Sequence, residues 1–182
     1  MKQNIFLAFF LGLTLTLAGQ QDGTFRVELA PFSPPVEAMI RHFEGSPVTP
    51  VMAPDLDQKM VTIDENRGRP QVLIFANLTD PRVLPILIQF ANWHKSSNKP
   101  SYIIALMDET PEQLLAAKLK EQATDLTIIP NCKMLSEAVY GIELGVPRMF
   151  LIDQMGNIAK VFPAERFSQP ERIIEELDHL LP

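Results

Sequence analysis

The chain has 182 residues, of which 46% are hydrophobic, and a net charge of −6, which fits one globular domain and argues against a second large one. The sequence pI of about 5.1 argues against nucleic acid as a partner, because phosphate binding needs a clustered excess of Lys and Arg. The single cysteine, Cys132, excludes an intramolecular disulfide bond.

The first residues are typical of an export signal. A lysine precedes an uncharged stretch from Ile5 to Ala18, which is too short to span a bilayer comfortably. The residues from Thr16 to Ala18 offer a small-x-small cleavage site. We therefore expect a signal peptide over residues 1–19, no stable membrane span after its cleavage, and a periplasmic or secreted location. An uncleaved anchor is the alternative.

Prolines interrupt the next segment, residues 20–54, again and again. Because proline fixes φ and lacks an N–H group, we predict an extended Pro-rich extension here. It contains one short helix, which starts after Ser33 and which the Ser33 side chain can cap. The main domain is then expected over residues 55–182.

That main domain alternates strands and helices. The β-rich runs predict strands at residues 71–77, 101–107, 126–129, 148–153 and 157–162. Helical patterns start near residues 81, 111, 132 and 170, the second and fourth of them after capping boxes that begin at Thr110 and Ser168. Gly156 is expected at positive φ in the hairpin turn between the last two strands. This order predicts an α/β sandwich with a mixed sheet.

Two segments, "VLIFANLTDPRV" and "YGIELGVPRMFLIDQMGNI", together with the closing helix, resemble the thioredoxin-like superfamily. Within it they are similar to the exported thiol-disulfide reductase and redoxin (AhpC/TSA-like) branch, whose pattern is "YGVxGVPTTFLIDxxGxI". The matching residues are Tyr140, Gly141, Gly145, Val146, Pro147, Phe150, Leu151, Ile152, Asp153, Gly156 and Ile158. The resemblance covers roughly residues 55–182 and implies a three-layer sandwich, in which helices flank a mixed central sheet.

The turn that carries two cysteines in that branch holds no sulfur here. Alignment on Phe75 places Asp80 at the first cysteine and Val83 at the second, whereas a register one residue earlier places Thr79 and Arg82 there. Neither register supplies a thiol, so we predict no catalytic residues at this turn and no cofactor. Asp80 is expected to be a helix N-cap, with Arg82 as its ion-pair partner or as a solvated residue.

The segment "GRPQVLIFANLTDPRV" is also similar to the strand and turn of iodothyronine deiodinases. On that alignment Asp80 lies at the selenocysteine and Leu78 at a nearby cysteine. Most shared letters belong to a generic strand, so this similarity implies kinship within one fold.

In the reductase branch, the residue before the conserved proline presents its backbone to an extended partner chain, and the proline is cis. A cis Val146–Pro147 bond would therefore keep a peptide-binding groove without the thiols. The predicted binding residues are Asp80, Pro81, Arg82, Val146 and Pro147. The alternative is that this loop only shapes the fold.

Cys132 has two interpretations. It is either a lone reactive thiol, activated by Lys133 and a helix N-terminus, or an isolated and partly buried small residue. The three histidines, His42, His94 and His179, lie on separate predicted helices without ligand spacing, so no metal site is predicted.

We therefore predict an exported, redox-inactive thioredoxin-like protein that binds a protein or an extended peptide. One alternative is a thiol-dependent reductase or peroxidase that uses Cys132. The other is a structural subunit whose groove is covered by its own residues 20–54.

Overall fold

The computed structural model describes residues 31–63, 68–99, 101–142 and 146–182. The strands are β1 (Val51–Pro54), β2 (Met60–Ile63), β3 (Gln71–Ala76), β4 (Tyr102–Met107), β5 (Thr127–Ile129), β6 (Arg148–Ile152) and β7 (Ile158–Phe162). The α-helices are α1 (Pro34–Phe43), α2 (Val83–Ser97), α3 (Pro111–Ala116), α4 (Leu119–Gln122), α5 (Lys133–Tyr140) and α6 (Pro170–Leu180). The predicted signal peptide lies outside the described residues, as does the start of the predicted extension.

The central sheet has the strand order β5-β4-β3-β6-β7. Strands β3, β4 and β5 run parallel, whereas β6 and β7 run antiparallel to their neighbours. Every residue of β3 is buried, as expected for a continuous apolar run that is covered on both faces. The predicted α/β fold with a mixed central sheet is confirmed.

Two hydrophobic cores lie on opposite faces of this sheet. On one face α2 and α6 pack through Phe90 and Leu177. On the other face α5, α1 and the β1–β2 hairpin pack around Phe75 and Phe150. These layers form the predicted three-layer sandwich.

The β1–β2 hairpin was not predicted, because Pro54 within it and Pro50 just before it favour an extended segment without pairing. Its register pairs Val51 with Ile63 and Pro54 with Met60. Pro54 is tolerated because the ladder has only two strands, so its missing N–H leaves no central hydrogen bond open. The boundary that we predict between residues 54 and 55 falls between the two strands of this hairpin.

Three predicted helix caps have different outcomes. Thr110 forms the expected capping box with Gln113, although the helix then breaks at Lys118, whose φ is +53°, to give α3 and α4. Ser33 is at the N-cap position of α1, but its side chain makes no capping bond. The capping box at Ser168 is wrong, because Ser168 ends a 3-10 helix and its hydroxyl donates to the Glu165 carbonyl at 2.9 Å.

The turn between β6 and β7 forms as predicted. Gly156 has φ +85°, a backbone conformation that favours glycine. The Asp153 carboxylate accepts the backbone N–H groups of Met155 at 2.8 Å and Asn157 at 2.9 Å. The turn is therefore held by its own side chain.

Candidate functional site

The turn that follows β3 is built around a buried asparagine. Asn77 is 7% exposed. Its Oδ1 accepts the backbone N–H groups of Thr79 at 3.1 Å and Asp80 at 3.3 Å, and it also accepts the Thr79 hydroxyl. One amide oxygen thus fixes the backbone that leads to Asp80.

Asp80 forms an ion pair with Arg82 at the end of this turn. Arg82 donates Nε to Oδ1 of Asp80 at 3.0 Å and Nη2 to Oδ2 at 2.6 Å. Its Nη1 donates to the Ala164 carbonyl at 3.3 Å, at the start of the 3-10 helix that follows β7. The hydrogen bonds from Arg82 lower the pKa of Asp80, and the Asp80 carboxylate raises the pKa of Arg82. Asp80 is therefore a charged and already paired carboxylate.

The prediction that Asp80 is the N-cap of the helix is wrong. Helix α2 begins at Val83 and its N-cap residue is Arg82. Asp80 instead accepts the backbone N–H of Arg82 at 2.9 Å, which is an Asx turn that precedes the helix. Val83, at the second cysteine position of the resemblance, is 1% exposed and packs into the core.

Two carboxylates at the end of β4 hold the same turn, and the sequence analysis missed both. Glu109 accepts the Leu78 N–H through Oε1, and its backbone carbonyl accepts the Asn131 N–H at 2.9 Å. Oε2 of Glu109 is buried without a hydrogen-bond partner. Glu109 therefore joins the turn after β3 to the loop before α5.

Asp108 is the second of these carboxylates. Burial raises its pKa, while a hydrogen bond from the Asn77 side chain opposes that rise. From α5, Glu137 raises the pKa of Asp108 further and Lys133 lowers it. The Asn77 side chain thus contacts Asp108 on one side and supports the turn on the other.

The loop with Pro147 lies beside this turn. In the sheet, Arg148 pairs with Phe75, so that Pro147 is next to the end of β3. Pro147 is buried and Val146 is half-buried. No peptide bond among the described residues is cis, so the Val146–Pro147 bond is trans, the ordinary state of an X–Pro bond. The cis bond that the resemblance implied for a peptide-binding groove is therefore not found.

Cys132 lies at the N-cap position of α5 and is 3% exposed. Its Sγ donates to the Ile129 carbonyl at 3.3 Å. Burial, and secondarily the nearby Asp108 carboxylate, raise the pKa of Cys132 to about 12. The thiolate is therefore disfavoured, in contrast to the activated thiol that the position before Lys133 suggested.

The three histidines do not converge. His42 lies on α1, His94 on α2 and His179 on α6. No group of three or more His, Cys, Asp or Glu side chains in the described part of the chain is arranged to hold a metal ion. None of the helices described is both long and apolar enough to cross a membrane.

Comparison with solved structures identifies the architecture. A peroxiredoxin-like protein from Aquifex aeolicus aligns with a TM-score of 0.62 at 14% identity, over 75% of this chain and 86% of that one. A mitochondrial 2-Cys peroxiredoxin from Plasmodium falciparum aligns with a TM-score of 0.61 at 13% identity, over 76% and 94% of the two chains. The fold is thioredoxin-like.

A third similar structure comes from the reductase side of this thioredoxin-like fold. A thiol:disulfide interchange protein from a Bacteroides species aligns with a TM-score of 0.53 at 19% identity, over 72% of this chain and 90% of that one. Neither a protein-family model nor a curated protein matches the sequence. At these identities the similarity establishes the thioredoxin-like fold alone, and the likeness to deiodinases stays a prediction.

Proposed function

We propose that this protein is an exported thioredoxin-fold protein that performs no thiol-disulfide chemistry of its own and binds a protein or an extended peptide. One observation carries the proposal. The place that the resemblance assigns to the attacking thiol is taken by the Asp80 carboxylate, which Arg82 binds through two nitrogens. Export is supported by the apolar stretch from Ile5 to Ala18 and the cleavage pattern after it.

The chemistry of exchange explains why this turn is unsuited to it. A thiolate must attack sulfur, and a second thiol must resolve the mixed disulfide. A carboxylate has no such redox couple, and Val83 offers no resolving group. Cys132 is the chain's single sulfhydryl, and its burial with a pKa of about 12 leaves it almost entirely protonated at neutral pH.

The binding part of the proposal rests on what remains exposed at the carboxyl ends of the strands. Pro81 and Arg82 are exposed beside the half-buried Val146. Ligands of open α/β sheets bind at this edge of the sheet, where loops can vary without disturbing the core. The Arg82 side chain is 43% exposed, and an exposed guanidinium suits an extended acidic or carbonyl-rich segment.

The occluded-groove alternative would require the Pro-rich extension to lie across this edge. The described part of the extension, residues 31–54, instead contacts other places: Phe32 stacks on Arg166, Phe43 on Phe150, and the Thr49 carbonyl accepts the Tyr140 hydroxyl. None of these contacts is with Asp80 or Pro147. They give that alternative no support.

The redox part is tested by insulin reduction with dithiothreitol as the electron donor. The mature chain and its Cys132→Ser variant are expected to give the same rate as the donor alone, because neither has an accessible thiolate. Thiol-dependent turnover well above that of the Cys132→Ser variant would refute the proposal. An active thioredoxin in the same assay shows that the assay works.

The binding part is tested with a random library of extended peptides passed over the immobilised chain. Wild-type protein is expected to retain a subset of peptides that the Arg82→Glu variant does not, because charge reversal repels acidic groups. Lys95→Glu, an exposed reversal near the end of α2, is the matched control and should retain the wild-type subset. Identical retention by wild type and Arg82→Glu would contradict binding at this turn.

A further inference from the structure

Residues 34–48, which we call the cover, consist of α1 and the segment that follows it along the outer edge of β7. Gly45 donates its N–H to the Ile158 carbonyl, Ile158 donates to the Ser46 carbonyl, and Val48 donates to the Gly156 carbonyl, each at 2.8 Å. The Glu44 carboxylate accepts the Val161 N–H at 3.1 Å. The cover therefore satisfies the edge groups of β7 that would otherwise be open to another strand.

The helical part of the cover is held less firmly than the helices on the other face, and Val48 is the one fully buried residue of the cover. No residue of α1 is buried, whereas α2 buries six residues. The apolar residues Met39, Ile40 and Phe43 are only partly buried against the sheet. Phe43 meets the edge of Phe150 with ring centroids 5.3 Å apart. Since burial of apolar area supplies most of the stability, α1 contributes little per residue.

A cleft further weakens the contact between α1 and the sheet. It has a volume of about 220 Å³ and lies between Ile40 on α1, Phe162 on β7 and Glu176 on α6. Most of its lining is charged and open to solvent, so α1 makes few apolar contacts with the sheet along this side. The ion pairs at this cleft join Lys160 to Glu44 at 4.0 Å and to Glu176 at 3.3 Å, with side chains about one third exposed. Such exposed pairs add little.

The backbone of the cover also lacks a continuous ladder. Pro47 forms only an isolated bridge with Asn157 and has no N–H to donate. Thr49 and Pro50 are both exposed and join the cover to β1, which stays anchored through its pairing with β2. A hinge at these two residues would release the cover and withdraw Val48 from the core, while the strands of the central sheet stay paired.

We propose that the cover opens from β7 as one unit while the rest of the domain stays folded. Opening frees the N–H of Ile158 and the carbonyls of Gly156 and Ile158, which are the groups that an added strand pairs with. Local opening of this kind occurs in the least stable parts of a structure.

Native-state hydrogen exchange at increasing urea tests the opening independently of any partner. The amides of Gly45, Val48, Ile158 and Val161 are expected to share one small urea slope. They should also exchange at least about tenfold faster than the amides of β3, after correction for intrinsic rates. A single shared slope is the mark of opening as a unit.

Two variants separate this opening from global unfolding. Ile86→Val trims the core on the opposite sheet face and should speed exchange of the β3 amides by about 3- to 10-fold while leaving the four cover amides unchanged. Phe43→Ala should speed exchange of both the cover amides and the β3 amides, because opening of the cover and global unfolding each break the contact of Phe43 with Phe150. Equal acceleration of both sets by Ile86→Val, or four different urea slopes, would overturn the proposal. A negative insulin assay has no bearing on this outcome.

Discussion

Replacement of Asp80 by cysteine is expected to create a thiol whose pKa lies below its ordinary value of about 8.5. The Asp80 position lies beside the Arg82 guanidinium and two residues before the N-cap of α2. A nearby cation and the N-terminus of a helix both stabilise a thiolate. The pH dependence of alkylation by iodoacetamide measures this pKa directly.

Cys132 is the internal reference for that measurement. Its pKa is raised to about 12 by burial, so the introduced thiol should react at neutral pH at least about a thousandfold faster in the folded chain. Adding Arg82→Gln to Asp80→Cys should move the pKa back towards its ordinary value, because the cation is lost. The hypothesis that this turn keeps an anion-stabilising environment fails if the Asp80→Cys thiol has a pKa of 8.5 or higher.

The sequence predicted the central sheet well because its strands are continuous apolar runs. The run from Gln71 to Asn77 differs from β3 by a single residue. A strand that is buried on both faces is apolar at nearly every position, with Gln71 as the polar exception in β3, and its short length and flanking turn residues distinguish it from a buried helix. The same reasoning holds for β4 and β6, which lie beside β3 in the sheet.

Local patterns were less informative where two structures compete for the same residues. Ser168 has the spacing of a capping box, yet the preceding 3-10 helix uses its hydroxyl as a donor to Glu165. The hairpin of β1 and β2 escaped prediction because Pro50 and Pro54 indicate extended chain, and each strand has only four residues. Tertiary packing against Phe150 and its neighbours decides the outcome there.

At the candidate site, the sequence indicated Asp80 and the possible Arg82 partner but not the carboxylates behind them. Asn77 directly follows β3, and Asp108 directly follows the parallel neighbour β4. Because the carboxyl ends of parallel strands meet at one edge, these polar residues were a usable signal. What the sequence alone does not reveal is their burial, which depends on the position of α5.

The second large effect is expected from Asp108→Asn, which should stabilise the protein by about 0.5–1 kcal/mol at pH 7, because Asp108 is only half-buried and solvent screens part of the cost of its charge. Asparagine keeps an oxygen that accepts from the Asn77 side chain but carries no charge to bury. It also removes repulsion from Glu137, which outweighs the lost attraction to Lys133. Urea unfolding followed by circular dichroism at several pH values measures the difference between the variant and the wild type.

The pH dependence of that difference has a definite sign. The folded-state pKa of Asp108 lies above its ordinary value of 3.8, so the folded protein binds this proton more tightly than the unfolded chain does. The cost of the charge is fully present above the folded pKa and disappears as the pH falls through it towards 3.8. The advantage of Asp108→Asn should therefore shrink as the pH falls through the folded pKa and vanish in acid.

Asp125→Asn, an exposed control, should stay within about 0.5 kcal/mol of wild type at every pH. A pH-independent gain from Asp108→Asn would mean that packing, and not the charge of the half-buried Asp108, sets its effect.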